Sequence, residues 1–389
     1  MERIYRGYIS NATMNTIDKL NRVLQFVKDS FVGKNDIVDL LGISLIAREN
    51  AFLLGPPGTA KSAIIRQLSD CIEGGRNFEY LLTRFTEPNE IFGPFDIRKL
   101  KEGELITNTE GMMPEASMVF LDEIFNANSA ILNSLLMALN ERLFRRGKET
   151  RKLPALMFVG ASNVLPEDEA LNALLDRFLI RIRCDYVDTD LLEEVLLAGW
   201  NMERQSAEKP VITPQEIIEL QQRSRQVDLS PIRKQFVDVV HNLRNTGIKV
   251  SDRRAVKIQN LLAASALMCN RTEAIKSDLW VLKYIWDTEE QIEILAGIID
   301  AIIEKDTTAQ QVHPQARYNK TPNAEELIKE VQLLASRWHS GNLSFEEQNV
   351  IKDKLRYVQT RCNWIKKNEH KEHIRAEIEQ LWKKMLEVV

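Results

Sequence analysis

Three polar segments, each directly after an apolar run, hold side chains that could do chemistry. The first, Gly55-Pro56-Pro57-Gly58-Thr59-Ala60-Lys61-Ser62, follows the apolar residues 51–54 and opens an amphipathic pattern. Backbone N–H groups of such a loop, and of the helix after it, can surround phosphate oxygens. Lys61 would reach the β and γ phosphates of a nucleotide, and Ser62 would ligate Mg²⁺.

One position of this loop departs from the usual pattern. Loops of this kind have glycine before the lysine, whereas this chain has Ala60. Alanine is the next smallest residue, so we expect the loop to form at some conformational cost. The alternative is a chance turn of glycine and proline before an amphipathic helix. The placement between a predicted strand and a predicted helix argues against that alternative.

The second segment is an acidic pair, Asp122 and Glu123, at the end of the apolar run 118–121. Asp122 can hold the shell of Mg²⁺, and Glu123 can polarise the attacking water. Many strands simply end in a solvated acidic pair. A position about sixty residues after a phosphate-binding loop favours the catalytic interpretation.

The third segment ends in Asn163, which follows the run 158–161 and is suited to orienting water or the γ phosphate, although an asparagine there could equally cap a turn. Two arginines complete the set. Arg177 is a candidate finger for the nucleotide of a neighbouring subunit, and Arg253 begins a helix from which it could contact phosphate in the same chain. The alternative for each arginine is an ordinary surface residue.

These side chains need a parallel sheet to bring them to one edge. Short apolar runs predict four strands, at 51–54, 117–121, 156–160 and 179–182. They alternate with helical patterns such as 130–143, and two further helices, at about 14–32 and 35–47, precede the first strand. This alternation predicts an α/β fold in which helices cover both faces of a parallel sheet.

Beyond Cys184 the strand pattern stops. The sequence up to about residue 305 is helical throughout, with Asp188-Thr189 and Thr213-Pro214 as plausible helix starts. The polar, proline-containing segment 307–323 is interpreted as a linker. We therefore predict four parts, at residues 1–186, 187–306, 307–323 and 324–389.

The last part contains two apolar series at helical spacing. Ser344 to Glu347 match a capping box, which predicts a helix start. The two series are Ile351, Leu355, Val358, Cys362 and Ile365, and then Ile374, Ile378, Leu381 and Met385. They are out of phase, which allows a turn near 367–371 or a continuous helix that changes partner. We expect a helical hairpin or bundle.

Composition excludes several other classes of protein. With 389 residues, 44% of them hydrophobic, the chain can form two or three cores, and its net charge of −4 gives no global attraction to nucleic acid or anionic membranes. The four cysteines form no CxxC pair and the five histidines no HExxH, so we expect neither a zinc site nor a disulfide framework. Without a secretory or membrane-spanning apolar segment, we expect a cytoplasmic protein with no membrane insertion.

Together these motifs resemble the AAA+ ATPases, and specifically the MoxR family in its RavA-like branch. The resemblance extends from about Val32 to Cys184 and returns at 250–255. The matching segments are Val32-Gly33, GPPGTAKS, residues 80–85 and 91–94, VFLDEI, residues 131–133 and 140–142, GASN, LLDRF and SDRRA. The resemblance implies an AAA+ domain at 1–186, an α-helical lid at 187–306 and a C-terminal helical region.

The resemblance also implies a role for each motif. Lys61 and Ser62 would belong to Walker A, and Asp122 and Glu123 would form Walker B. Val32-Gly33 would lie near the adenine.

Three further roles concern the γ phosphate. Asn163 would be sensor 1, Arg177 the arginine finger and Arg253 sensor 2, with Arg254 as an adjacent alternative.

At the level of the assembly, the resemblance implies a homo-hexameric, magnesium-dependent ring that binds ATP or ADP. It would remodel a protein client together with a partner that carries a von Willebrand factor A (VWA) domain. Residues 80–117 would contain an insertion around a β-hairpin, and residues 143–153 a second hairpin, both near the pore or the upper surface of the ring.

Two other functions stay open. A nucleic-acid motor or loader is suggested by the basic residues of the second hairpin, Arg145, Arg146, Lys148, Arg151 and Lys152, although the mildly acidic composition argues against it. A nucleotide-gated scaffold that hardly hydrolyses ATP is the other, and the intact Glu123 argues against it.

Overall fold

The computed structural model describes residues 11–146, 149–187, 189–202, 209–303, 311–317, 324–339, 345–362 and 368–386. The chain divides into two compact units, Met1–Ile285 and Trp286–Val389. The four-part division at residues 186, 306 and 323 stays a prediction.

The first unit is built on a five-stranded parallel sheet. Its strands are β1 (Ala51–Leu54), β2 (Asn77–Leu81), β3 (Met118–Asp122), β6 (Met157–Ser162) and β7 (Ile180–Arg183). They are arranged in the order β2-β3-β6-β1-β7, and every pairing is parallel. All four residues of β1 are buried, as expected of a central strand whose two faces are both covered.

Strand positions largely match the sequence prediction. The run at 51–54 is confirmed without change, whereas β3 and β6 begin one residue later than predicted and continue to Asp122 and Ser162. The sheet therefore extends to the residues directly before Glu123 and Asn163. Strand pairing fixes the backbone at Asp122 and Ser162, and so the positions from which the side chains of Glu123 and Asn163 project.

The first unit also contains helices. They are α1 (Asn11–Ser30), α2 (Asn35–Ala47), α3 (Lys61–Asp70), α4 (Pro88–Phe92), α5 (Ile97–Lys101), α6 (Ser129–Glu141), α7 (Glu169–Leu175), α8 (Leu192–Met202), α9 (Pro214–Ser224), α10 (Arg233–Asn245) and α11 (Asp252–Met268). Thr213 caps α9 in a reciprocal capping box with Glu216, which confirms the predicted start there. Asp188, part of the other predicted start, lies outside the described residues. Among the residues described after Arg183 the structure has no strand.

The two expected hairpins differ in form. The second is present as β4 (Leu143–Arg146) paired antiparallel with β5 (Glu149–Lys152), and its turn residues lie outside the described part of the chain. In the first, antiparallel pairing is reduced to one bridge between Phe95 and Thr107. Helix α5 occupies the connection because Asp96 caps it, accepting hydrogen bonds from the N–H groups of the next turn.

Every regular element of the second unit is a helix in the residues that the structure describes. It contains α12 (Glu290–Ile303), α13 (Pro314–Arg317), α14 (Ala324–His339), α15 (Phe345–Cys362) and α16 (Asn368–Leu386). Both predicted apolar series enter one core, formed by Leu327, Val331, Leu334, Ile351, Leu355, Val358, Cys362, Ile374, Ile378, Leu381 and Met385. A bundle therefore forms; Ser344, Ile365 and residue 367 of the predicted turn lie outside the described residues.

Membrane insertion has no candidate element in the described part of the chain, where every helix is too short or too polar to cross a bilayer.

A buried ion pair, between Arg271 and Asp278, lies near the carboxyl-terminal end of the first unit. Asp278, which has no exposed surface, accepts two hydrogen bonds from the Arg271 guanidinium, at 2.6 and 2.7 Å. It also accepts from the hydroxyl of Ser265 at 2.7 Å and from the N–H of Ile275 at 2.8 Å. All of these hydrogen bonds to the carboxylate come from donors that are buried or partly buried in the fold.

We expect Arg271→Met to lower the free energy of unfolding by about 3–5 kcal/mol, because Asp278 would stay buried without its cation. Urea unfolding followed by circular dichroism measures the change. The matched control is Arg66→Met, which breaks the exposed pair of Arg66 with Glu79 and should cost less than about 1 kcal/mol. Equal losses in the two variants would contradict the argument from burial.

Candidate active site

The loop Gly55–Ser62 leaves the carboxyl end of β1 and passes into α3. A Cβ on Gly55 would lie 2.0 Å from the carbonyl oxygen of Cys184, so only glycine fits against the end of β7. Gly58 has φ +82°, and Ala60 has φ 66° and ψ 17°, both in the left-handed region. The cost expected for alanine at this position is therefore present in the backbone.

The backbone N–H groups of the loop are arranged as in an anion-binding site. The N–H groups from Gly58 to Ser62 donate to no acceptor within the described residues, and Ala60 offers no side-chain cap to α3. Consecutive unpaired N–H groups at a helix N-terminus favour an anion, because the helix dipole adds to their partial charge. The loop therefore fits a polyphosphate.

Lys61, Asn163 and Glu123 form one chain of hydrogen bonds. The buried Lys61 Nζ donates to the carbonyl oxygens of Gly55 and Pro56, at 2.5 and 3.0 Å, and to Asn163 Oδ1 at 3.3 Å. Asn163 Nδ2 donates to Glu123 Oε1 at 2.6 Å. Three segments that are more than a hundred residues apart at their extremes thus meet at the carboxyl edge of the sheet.

Two oxygen groups beside this chain suit a hard cation. Asp122 Oδ1 accepts the N–H of Glu123 at 3.0 Å, while Asp122 Oδ2 and the Ser62 hydroxyl have no partner within the described residues. A carboxylate and a hydroxyl, with substrate phosphates and water in the remaining positions, fit Mg²⁺. Glu123 itself has φ 49° and ψ 47°, a strained conformation that places its side chain at the turn after β3.

Val32-Gly33 lies beside the same edge. A Cβ on Gly33 would come within 3.2 Å of Val187 Cγ1 and 3.7 Å of Leu191 Cδ1. Tyr186, next to Val187, donates from its hydroxyl to the carbonyl oxygen of Pro57 at 3.1 Å. The region predicted to lie near the adenine is thus linked to the phosphate-binding loop.

Sequence reasoning missed Tyr186 and Val187. Neither belongs to a recognisable motif, and their only signal was their position directly after the strand that pairs with β1.

The thiol next to the loop is inert. Cys184 is fully buried, and this burial raises the pKa of its thiol to about 12. Because the thiolate is the nucleophilic form, Cys184 is not a nucleophile at neutral pH.

The two arginines lie at the other edge of the sheet. The carbonyl oxygen of Arg177 accepts from Asn50 Nδ2 at 2.9 Å, and Asn50 directly precedes β1, whereas the phosphate-binding loop follows it. Four strand residues separate the two ends by roughly 13 Å. Arg177 lines one crevice with Arg253; its other lining residues are Asp176, Leu179, Ser251, Arg254 and Lys257.

Arg253 and its neighbour Arg254 differ in their surroundings. Arg253 lies beside Arg177 in this crevice at the amino edge, and its contact with phosphate within the same chain stays a prediction. Its neighbour Arg254 is buried and donates to the carbonyl oxygens of Lys249 and Ile285, which commits that guanidinium to the fold. Arg253 is exposed and has no partner among the described residues.

A comparison with known families agrees with this geometry. Residues 18–222, more than half of the chain, match the family described as the MoxR domain in the MoxR-vWA-beta-propeller ternary systems. This chain belongs to the MoxR family of AAA+ ATPases. Residues 229–299 of this MoxR protein match the AAA lid domain. The RavA-like branch within the family stays a prediction.

Relatives of this MoxR protein include uncharacterized archaeal proteins and a bacterial chaperone. A protein of Methanocaldococcus jannaschii is 35% identical over 304 residues, which is 78% of each chain. Chaperone MoxR1 of Mycobacterium tuberculosis is 26% identical over 184 residues, 46% of this chain and 48% of that protein.

A solved structure shares the fold. The crystal structure of a Cytophaga hutchinsonii protein aligns with a TM-score of 0.62 at 18% identity, over 77% of this MoxR protein and 97% of that chain.

We expect Ala60→Gly to raise the free energy of unfolding by about 0.5–1 kcal/mol, since relief of the left-handed strain exceeds the added entropy of the unfolded chain. Urea unfolding without nucleotide measures the change. The matched control is Ala63→Gly, three residues later in the helical part of α3, which should cost about 1 kcal/mol. Destabilisation by both variants would show that Ala60 is not strained.

Proposed function

We propose that this MoxR protein is a magnesium-dependent ATP hydrolase that works as a homo-oligomeric ring, with ATP held between neighbouring subunits. One observation carries the proposal: the phosphate-binding loop and the two arginines of the crevice lie at opposite edges of one parallel sheet. A head-to-tail arrangement of identical chains places the amino edge of one copy against the carboxyl edge of the next, and such a heterologous contact forms a ring when the rotation between copies closes. A hexamer is our proposed ring size.

Within one chain, the residues of the carboxyl edge would bind ATP and prepare the attacking water. The free N–H groups from Gly58 to Ser62 and the ammonium of Lys61 would hold the β and γ phosphates. Mg²⁺, held by Ser62 and Asp122, would offset the negative charge of these phosphates.

Glu123 would polarise the water, and Asn163 would fix its orientation. The 2.6 Å hydrogen bond between their side chains supports this pairing.

The neighbouring chain would supply positive charge. Arg177 is partly exposed and pairs with Asp176 at 3.3 Å, and Arg253 is exposed without a partner among the described residues, so a neighbouring chain could reach both guanidinium groups. Charge placed against the transferring phosphoryl group in this way is worth about 10³–10⁵ in rate. We propose that both arginines act between subunits.

A protein client is favoured over nucleic acid by the side chains of the insertion. Phe85 is 90% exposed, and Ile97 and Leu100 are 70% and 51% exposed, so this segment presents apolar surface suited to protein.

The hairpin cations point in the same direction. Arg146 donates to Asn89 Oδ1 at 2.6 Å and lies over the ring of Phe95, while Arg151 pairs with Glu149 at 3.0 Å. These contacts occupy donors of both guanidinium groups, and Glu149 offsets the charge of Arg151, which leaves less for phosphates than the sequence alone suggests.

We further propose a VWA-domain protein as partner and remodelling or maturation of protein complexes as the activity, in the cytoplasm. The matching family is described within MoxR-vWA systems, and one relative is named a chaperone.

We expect turnover per subunit to rise with protein concentration, because an isolated chain lacks the arginines of a neighbour. Glu123→Gln should lower turnover by about 10²-fold or more and Arg177→Ala by about 10³-fold, with ATP still bound. Phosphate release at several protein concentrations measures turnover. The matched control for the arginine is Arg225→Ala, an exposed residue at the end of α9, which should leave turnover unchanged.

Mixing the two inactive variants tests the shared site. In rings of Glu123→Gln and Arg177→Ala, about a quarter of randomly formed interfaces join an intact Glu123 to an intact Arg177, so activity should return. Normal turnover of Arg177→Ala alone, or no recovery on mixing, would sink the shared-site proposal.

A further inference from the structure

One buried amide holds the segment that carries Arg177. Asn50, only 1% exposed, donates from Nδ2 to the carbonyl oxygen of Arg177 at 2.9 Å and to that of Leu139 at 3.2 Å. Its Oδ1 accepts from Arg142 Nη2 at 2.9 Å. Both the donor and the acceptor of the amide are used, so its orientation is fixed by three partners, two of them at the end of α6.

The residue before it holds the helix that carries Arg253. Glu49, only 5% exposed, accepts from Lys257 Nζ at 2.9 Å and from Asn260 Nδ2 at 3.2 Å. Lys257 lies four residues after Arg253, on the same face of α11, and lines the crevice with it. The ion pair therefore sets the position of that face relative to the start of β1.

We infer that Glu49 and Asn50 form a positioning corner for both arginines of the intersubunit site. The inference rests on the proposed function and adds residues that do not touch the nucleotide. Two adjacent side chains at the amino end of β1 fix two elements that are distant in sequence, the turn at Arg177 and helix α11. Because a misplacement of about 1 Å can cost about 10²-fold in rate, fixing both elements to the central strand matters for turnover.

The chemistry of the corner suggests a variant that removes little else. Burial lowers the pKa of Arg142 to about 10, and its guanidinium lies 4.7 Å from the centre of the Phe158 ring. In Asn50→Asp the carboxylate keeps the acceptor for this cation and the volume of the side chain. The donor to the carbonyl oxygens of Arg177 and Leu139 is lost, and a carboxylate oxygen that repels both carbonyls takes its place.

We expect Asn50→Asp to lower turnover by about 10-fold to 10²-fold while the affinity for a fluorescent ATP analogue stays within about twofold. Mixing it with Glu123→Gln should restore activity, because the second variant supplies arginines held by an intact corner. The matched control is Gln221→Glu, which removes the donor of another buried amide, one that binds the carbonyl oxygen of Leu45, away from either arginine. This control should keep its turnover.

A second variant covers the case in which Asn50→Asp does not fold. Glu49→Gln keeps the volume and an acceptor for Asn260 but removes the charge that pairs with Lys257. It should also lose turnover and recover on mixing with Glu123→Gln.

Three results would overturn the inference. They are equal loss in Gln221→Glu, loss of nucleotide affinity in the corner variants, and failure of both corner variants to recover while Arg177→Ala does recover. If Arg177→Ala also fails to recover with Glu123→Gln, the shared site itself is wrong and the corner has no arginine role to support.

Discussion

All five strands of the sheet run in one direction, and this polarity decides where each functional group lies. The loop after β1, Glu123 after β3 and Asn163 after β6 must meet at the carboxyl edge, since each directly follows its strand. Arg177 precedes β7 and must therefore lie at the amino edge. The length of β1, roughly 13 Å, separates the two edges. The residues of one edge therefore do not contact those of the other within one chain.

Much of the carboxyl edge could be predicted because its residues are local to their strands. An apolar run followed by glycine and proline identifies both the strand and the loop, and α2 at 35–47 and β1 at 51–54 were predicted to the residue. The location of Arg253 could not be predicted. It depends on the pairing of Lys257 with Glu49, residues 208 apart in sequence, and no local pattern specifies which face of a distant helix packs against a strand.

Other differences have equally physical causes. Strand ends depend on the pairing of each strand with its neighbours. The observed bounds of β3 and β6 therefore differ from the predicted ones by one or two residues. The reduced hairpin at 95–107 arises from a cap at Asp96 that favours a helical turn over longer strands. Strain is found on both sides of the candidate site, at Ala60 and Glu123, where the chain must turn sharply to bring backbone donors and a carboxylate to one place.

The separation of the two edges also affects how many complete nucleotide sites a given number of chains can form. If neighbouring chains share the nucleotide site as proposed, the first copy of an open row has a nucleotide loop that no guanidinium reaches, and the last copy has a pair of guanidinium groups with no nucleotide loop beside them. An open row of any length thus has one incomplete nucleotide site at each end. Closing the row into a ring joins these two half-sites, so closure alone creates one more complete nucleotide site. Any protein that bridges or blocks the gap between the first and last copies would then control activity without contacting a bound nucleotide.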